Sequence, residues 1–285
     1  MRLPASWFAR MRRNHALCAG AIILALLACC VMFAPQIAPF HYDAMNYGER
    51  MQLPSRAHLC GTDFFGRDIF SRTLYGSRII CAVGLLSVTF AAIPGLCLGL
   101  LAGYRRGWAD LLIMRVMDGV LAFPSLLLAL AIITVSGPGH LQATLSIGVI
   151  MLPSFTRLIR GQTLAVRHEE FVQAAVALGA SDWRILHKHI LPNIMGTLIV
   201  QTTISFANAI LIEAGLSFLG LGTQPPLPSW GAMLQEAKNF MAQQPYAAIV
   251  PGLAIALTVM GCNLSGDGLR DALDPRFRPR RAHDT

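Results

Sequence analysis

The chain has 285 residues, of which 54% are hydrophobic and only 13% charged. Ordinary soluble domains carry about twice that charged fraction, so the composition excludes one. The formal net charge of +8 invites a nucleic-acid reading, but the basic residues are sorted by loop rather than gathered on one face, and no nucleic-acid partner is expected.

A bilayer core requires about 20 apolar residues per crossing helix. Five stretches are long enough and free of Asp, Glu, Lys and Arg: Asn14–Tyr42, Ile79–Tyr104, Gly119–Thr156, Ile190–Ile212 and Asn239–Gly266. The third is interrupted by Gly137-Pro138-Gly139-His140, a turn signal. The expectation is an all-α integral membrane protein with six transmembrane helices.

The first span is expected over Ala16–Ala34. Its apolar stretch is long and Ala34-Pro35 is a poor processing site, so it reads as a retained helix rather than a cleaved leader. In the following outward segment, Gly66–Ser77 places Ile69, Phe70, Thr73 and Leu74 on one helical face. Arg67, Asp68 and Arg72 lie elsewhere, which predicts an amphipathic interfacial helix. The second span carries Gly95, Gly99 and Gly103 on one face, a pattern that admits another helix closely, and Pro94, which is expected to kink it. The third span is predicted from about Leu111 to Ser136 and the fourth from Leu141 to Gln162. After a long inward loop comes a fifth span, Ile194–Leu219. A rigid outward turn, Gln224–Trp230, and a surface helix, Gly231–Phe240, precede the sixth span, Tyr246–Leu264, and a short basic tail. The chain divides into a cytoplasmic N-terminus (1–15), a first helix with its outward segment (16–77), a five-helix core (78–266) that includes the inward loop 163–193, and a cytoplasmic tail (267–285).

Six spans put both termini on one side. Seventeen of the 23 basic residues fall on that side, including Arg105, Arg106, Arg115, Arg157, Arg160, Arg167, Arg184 and Lys188 in or beside the two loops. This positive-inside asymmetry predicts cytoplasmic N and C termini. The outward segments are then Tyr42–Ser77 and Thr223–Pro245.

No catalytic constellation is present. Gly-x-Ser-x-Gly and His-Glu-x-x-His are absent. Lys188 follows His187 and Lys238 follows Ala237, so neither lysine completes a phosphate-binding Gly-x4-Gly-Lys-Ser/Thr loop. The chain is expected to be no enzyme: if ATP drives it, another subunit binds the nucleotide. His58-x-Cys60 is too incomplete for a metal site, and no metal residues are assigned. Six of the seven cysteines lie in spans, where they read as small core residues rather than a disulfide framework. Two intramembrane carboxylates are candidates for the pathway or for packing between helices. Asp118 is spaced to pair with Arg115 one turn earlier. Glu213 is isolated in the fifth span, with Ser217 one turn on.

The inward loop reads as a mechanical element. Phe171–Leu178 is Ala-rich and helical by propensity. Gly179 bends the chain, Ser181 or Asp182 can cap a second short helix over Trp183–Lys188, and Pro192 punctuates the start of the fifth span. Gln173-Ala174-Ala175, three residues, Gly179, then nine residues and His189-Ile190-Leu191-Pro192 resemble the EAA loop of permease subunits of binding-protein-dependent ABC importers. Gln173 replaces the family's Glu and His189 its Ile. His58–Asp63 with Gly66–Arg72, Leu219–Gly231, and Gly266–Pro275 resemble further signatures of the C-type permease of the dipeptide, oligopeptide and nickel importers. The resemblance implies the type I ABC importer transmembrane fold in a bacterial inner membrane. It implies coupling to the ATPase through Gln173, Ala174, Ala175, Gly179, Ala180, Ser181, Asp182, Ile185, His189, Leu191 and Pro192. It also implies a second, B-type permease, two ATPase subunits that hold ATP and Mg so that this chain carries no cofactor, a periplasmic or lipid-anchored substrate-binding protein, and surrounding lipid. Short peptides or peptide-like solutes are the expected cargo. Nickel or a metal chelate is the alternative within the same architecture, and a stand-alone secondary transporter the alternative from another class.

Overall fold

The structure, a computed structural model, describes residues 15–273. The basic N-terminal residues Arg2, Arg10, Arg12 and Arg13 and the tail from Asp274 onward lie outside the described residues. The architecture is helical, and among the described residues the only extended pairing is an isolated bridge between Thr62 and Asp68.

In chain order the helices are α1 (His15–Ile37), α2 (Ile69–Arg105), α3 (Gly107–Leu121), α4 (Ser125–Ser136), α5 (His140–Arg167), α6 (Glu170–Ala177), α7 (Asp182–Phe218), α8 (Trp230–Ala237) and α9 (Tyr246–Leu273). Five of them, α1, α2, α5, α7 and α9, are long and apolar enough to cross a membrane. The expected third span is not one helix: α3 and α4 meet at 89°. Pro124 is the physical reason. It has no N–H to continue the ladder and disfavours a helical conformation in the residue before it. At about 22 and 18 Å, neither piece crosses a 30 Å core alone. The described residues thus offer five candidate spans, or six with this bent pair counted as one.

The most extensive helix pair is α2 with α5, and the glycine repeat makes it. A Cβ on Gly95 would lie 2.6 Å from Phe155 Cβ, one on Gly99 2.7 Å from Ile159 Cβ, and one on Gly103 2.7 Å from Thr163 Cβ. One glycine per turn of α2 thus receives a side chain of α5. Phe155, Ile159 and Thr163 are fully buried there, and α2 stays helical through Pro94. α1 packs on α9 by the same device, with Gly20 against Ser265 and Gly268 against Leu17.

The expected interfacial helix over Gly66–Ser77 is not a separate element: Asp63–Gly66 close a turn, and Ile69–Ser77 are the first turns of α2. Arg67, Asp68 and Arg72, expected off the apolar face, are each 3% exposed. Arg67 donates to Asp63 and to Glu236 of α8, both at 2.7 Å, and Arg72 donates to the same two carboxylates. Asp68 caps α2 by accepting from the Ser71 N–H at 2.7 Å, and it pairs with His58 at 2.9 Å. A helical wheel read the charges as solvent-facing because their partner, Glu236, lies more than 160 residues away. Cys60 sits beside this cluster as a free thiol, raised above its ordinary pKa by burial and then by the Asp68 carboxylate. Of the cysteines in the spans only Cys262 is buried, while Cys29 and Cys97 are exposed on the outer faces of their helices. The expected role as core residues holds for Cys262 and for Cys81, which packs against the core, and fails for Cys29 and Cys97.

Gly99→Ala should destabilise the assembled protein by about 1–3 kcal/mol, the cost of overpacking a tight core. Gly119→Ala has nothing within 4 Å of the new methyl and should be neutral; thermal midpoints in one detergent compare the two. Asp63→Ala leaves two buried guanidinium groups with one carboxylate between them, and should cost about 3 kcal/mol, read in the same assay.

Candidate functional site

The loop 163–193 folds as an elbow. Its first arm, α6, ends in a closed C-terminal motif: Gly179 N–H donates to Val176 C=O at 2.9 Å and Ala180 N–H to Ala175 C=O at 3.1 Å. This 5→2 and 6→1 pair is a Schellman motif, which needs its central residue in the left-handed region. Gly179 sits there at φ +73, and nothing lies within 4 Å of where a Cβ would be. Glycine is required by the backbone, while its surroundings are open.

The second arm departs from expectation. Ser181 occupies the capping position of α7 but makes no side-chain capping bond. Asp182 does not cap either; its carboxylate accepts from the Tyr104 hydroxyl at 2.7 Å. No separate short helix over Trp183–Lys188 forms, because α7 is continuous from Asp182 to Phe218. Ile185–Ile190 is a π-helical turn within it. Pro192 explains the widening. It cannot donate to the Lys188 carbonyl four residues back, and its ring crowds that carbonyl. Opening the turn relieves the clash without ending the helix.

The elbow is anchored from beneath and bare at its tip. Val172, Ile185, Ile190 and Ile194 are essentially fully buried. Leu178 is 88% exposed and Trp183 71%, on either side of Gly179. Ala174 is exposed, and Ala175 and Ala180 are half-buried. Gln173 turns its amide back to donate to the Arg167 carbonyl at 3.0 Å, a bond an ionised Glu could not donate. His189 lies near the Phe171 ring, 6.3 Å between centroids, and its carbonyl accepts from Asn193 at 2.6 Å. Leu191 is half-buried and Pro192 exposed. The eleven expected coupling residues therefore lie along one elbow, but they do not share one face.

The two intramembrane carboxylates are separate from it and from each other. Asp118 does not pair with Arg115. It receives Arg157 Nη2 of α5 at 2.5 Å, since the facing helix presents a closer cation than the next turn. A second bridge that the sequence reading missed, Asp110 with Arg160, is bidentate and also joins α3 to α5. Glu213 is completely buried. Its Oε1 accepts from Ser217 Oγ at 2.7 Å and from Thr223 Oγ1 at 3.2 Å, while Oε2 is buried without a hydrogen-bond partner. Thr223 N–H in turn donates to Ser217 Oγ at 3.0 Å. The carboxyl thus fastens the turn carrying Thr223 onto the end of α7.

Residues 95–279 match the family described as "Binding-protein-dependent transport system inner membrane component", and residues 5–54 match the "N-terminal TM domain of oligopeptide transport permease C". Over 271 residues the chain is 45% identical to the dipeptide transport system permease protein DppC of Alkalihalophilus pseudofirmus, covering 95% of this chain and 89% of that one. It is 46% identical over 275 residues to the glutathione transport system permease protein GsiD of Pectobacterium atrosepticum, covering 95% and 90%. Among solved structures, an inward-facing form of the MetNI methionine ABC transporter superposes with a TM-score of 0.62 over 72% of this chain and 98% of that one, at 17% identity. That similarity establishes the type I importer fold of the transmembrane chain. The protein belongs to the binding-protein-dependent transport system inner membrane component family and is a multi-pass, non-catalytic permease subunit of an ABC importer.

Proposed function

We propose that this chain forms half of a pathway that imports short peptides or peptide-like solutes, completed by a B-type permease, two ATPases and an external binding protein. The observation that carries the reading is the elbow: two arms closed by Gly179, with Leu178 and Trp183 bare at the tip and buried isoleucines behind. In water, such a tip exposes apolar surface with no partner in this chain, and a groove on a separate ATPase accounts for it. ATP and Mg are then held by those ATPases and not by this chain.

Two relatives named for dipeptide and glutathione transport support the peptide class of cargo over nickel or a metal chelate. Membership of a multi-subunit importer family leaves no place for a stand-alone secondary transporter. Inward-directed termini rest on the asymmetry of the basic residues, 17 of 23 of which fall on that side; two polar clusters mark the ends of α2. The cluster of Asp63, Arg67, Arg72 and Glu236 sits at its start and the elbow contacts at its end, about 55 Å apart for 37 residues.

Gly179→Trp should abolish uptake and ATPase association together, because any side chain strains the positive φ and a large one fills the tip. Undiminished uptake by the assembled complex would refute coupling at this loop. In the same reconstituted system, di- and tripeptides should compete for uptake where free nickel does not. Ala57→Cys in a cysteine-free background should be labelled by an impermeant maleimide from the outside of right-side-out vesicles; labelling only after permeabilisation would invert the topology.

A further inference from the structure

Tyr104 is the last aromatic residue of α2, and it stands between three elements. Its hydroxyl donates to Asp182 Oδ1 at 2.7 Å, across 78 residues. Its carbonyl accepts from Arg167 Nη1, at the end of α5, at 2.7 Å. The same guanidinium lies 5.2 Å from the centre of the Tyr104 ring, a cation–π distance. Arg167 also passes its own carbonyl to the Gln173 amide in the first arm of the elbow. Both arms are therefore referenced to one point: the first through Gln173 and Arg167, the second through Asp182 and Tyr104.

Beneath the elbow lies a cavity of about 340 Å³ lined by Tyr104, Arg105, Arg167, Gln173, Asp182 and Ile185, among others. The hydrogen bond from Tyr104 to Asp182 crosses the edge of this space. Behind Tyr104, α2 and α5 are packed closely along the glycine contacts. Ahead of Asp182, the junction to the rest of α7 is the π-turn at Ile185–Ile190. A turn opened by a proline there is the compliant part of the connection.

We infer that Tyr104, whose carbonyl and ring are held by Arg167, is a positioning residue for energy coupling: its hydroxyl transmits displacement of the elbow through Asp182 to the α2–α5 pair, while the π-turn lets α7 follow separately. The inference rests on the elbow being the ATPase-docking loop. In this arrangement, a push on Leu178 and Trp183 reaches the end of α2 through a directional hydrogen bond to a carboxylate, the stronger kind of neutral-donor bond. The apolar anchoring of Val172 and Ile185 remains when that bond is lost, so the elbow stays docked while its displacement is passed to α2 less directly.

The test measures uptake per ATP hydrolysed in the full reconstituted importer, with ATPase co-purification as a parallel readout. Tyr104→Phe removes only the phenolic O–H. It should retain the ATPases yet lower uptake per ATP about fivefold, the scale of one net hydrogen bond. Asp182→Ala should do the same, and the double variant should be no worse than either single one. Asp182→Asn keeps an acceptor and should restore most of the ratio, which a mere loss of helix packing at Tyr104 would not do. An unchanged ratio in Tyr104→Phe, additive losses in the double variant, or an Asp182→Asn variant as defective as Asp182→Ala would each overturn the inference. So would loss of the ATPases from Tyr104→Phe, which would make the tyrosine a docking contact. Failure of the underlying reading is separately visible: Gly179→Trp would then keep both its ATPases and its uptake.

Discussion

The close approach of α2 and α5 is the constraint on which the rest of the molecule depends. Inside a bilayer, lipid is as apolar as leucine, so no hydrophobic drive brings helices together. What remains is dispersion summed over many atoms, which falls off steeply with a gap of even half an ångström. Gly95, Gly99 and Gly103 remove that gap, and Phe155, Ile159 and Thr163 occupy it. The pair carries one polar cluster at each end. At the start of α2 sit the buried arginines and α8, and at its far end sits the clasp on the elbow.

Polar groups follow the same division. Backbone N–H and C=O groups in the spans are satisfied within helices, as a membrane demands, and side-chain charge is concentrated at the ends. Arg67 and Arg72 are buried only because Asp63 and Glu236 surround them. Asp110 and Asp118 each reach an arginine of α5, binding the broken α3–α4 pair to the α2–α5 pair. Glu213 is the exception within a span. It survives there because two hydroxyls donate to it and because the turn carrying Thr223 folds back over the helix end.

The elbow combines a sharp element with a soft one. Gly179 fixes a closed turn by two backbone hydrogen bonds, so its two arms keep a set angle. Pro192 withholds one hydrogen bond thirteen residues later, and the helix answers by widening rather than breaking. The elbow thus has a defined shape, and its second arm runs on into the span through the π-turn.

The sequence by itself determined whatever depends on composition and local period. That includes the helical membrane class, the number of apolar stretches, the glycine face of α2, the bend at Gly179 and the isolation of Glu213. These are legible because each depends on residues within a turn or two of one another, or on a bilayer thickness that every span must match. Tertiary structure alone decided where the charges went. Arg67 and Arg72 look solvent-facing on a helical wheel, and Asp118 looks paired with Arg115, until Glu236 and Arg157 arrive from distant segments. Tyr104 carried no signal in the sequence at all. Its role depends on Arg167 and Asp182 meeting it across more than 60 residues, and only the packing of α2 on α5 brings them there. The π-turn was also hidden, since Pro192 signals a disturbance four residues back without saying whether the helix will end or widen; the burial of Ile185, Ile190 and Ile194 holds it continuous.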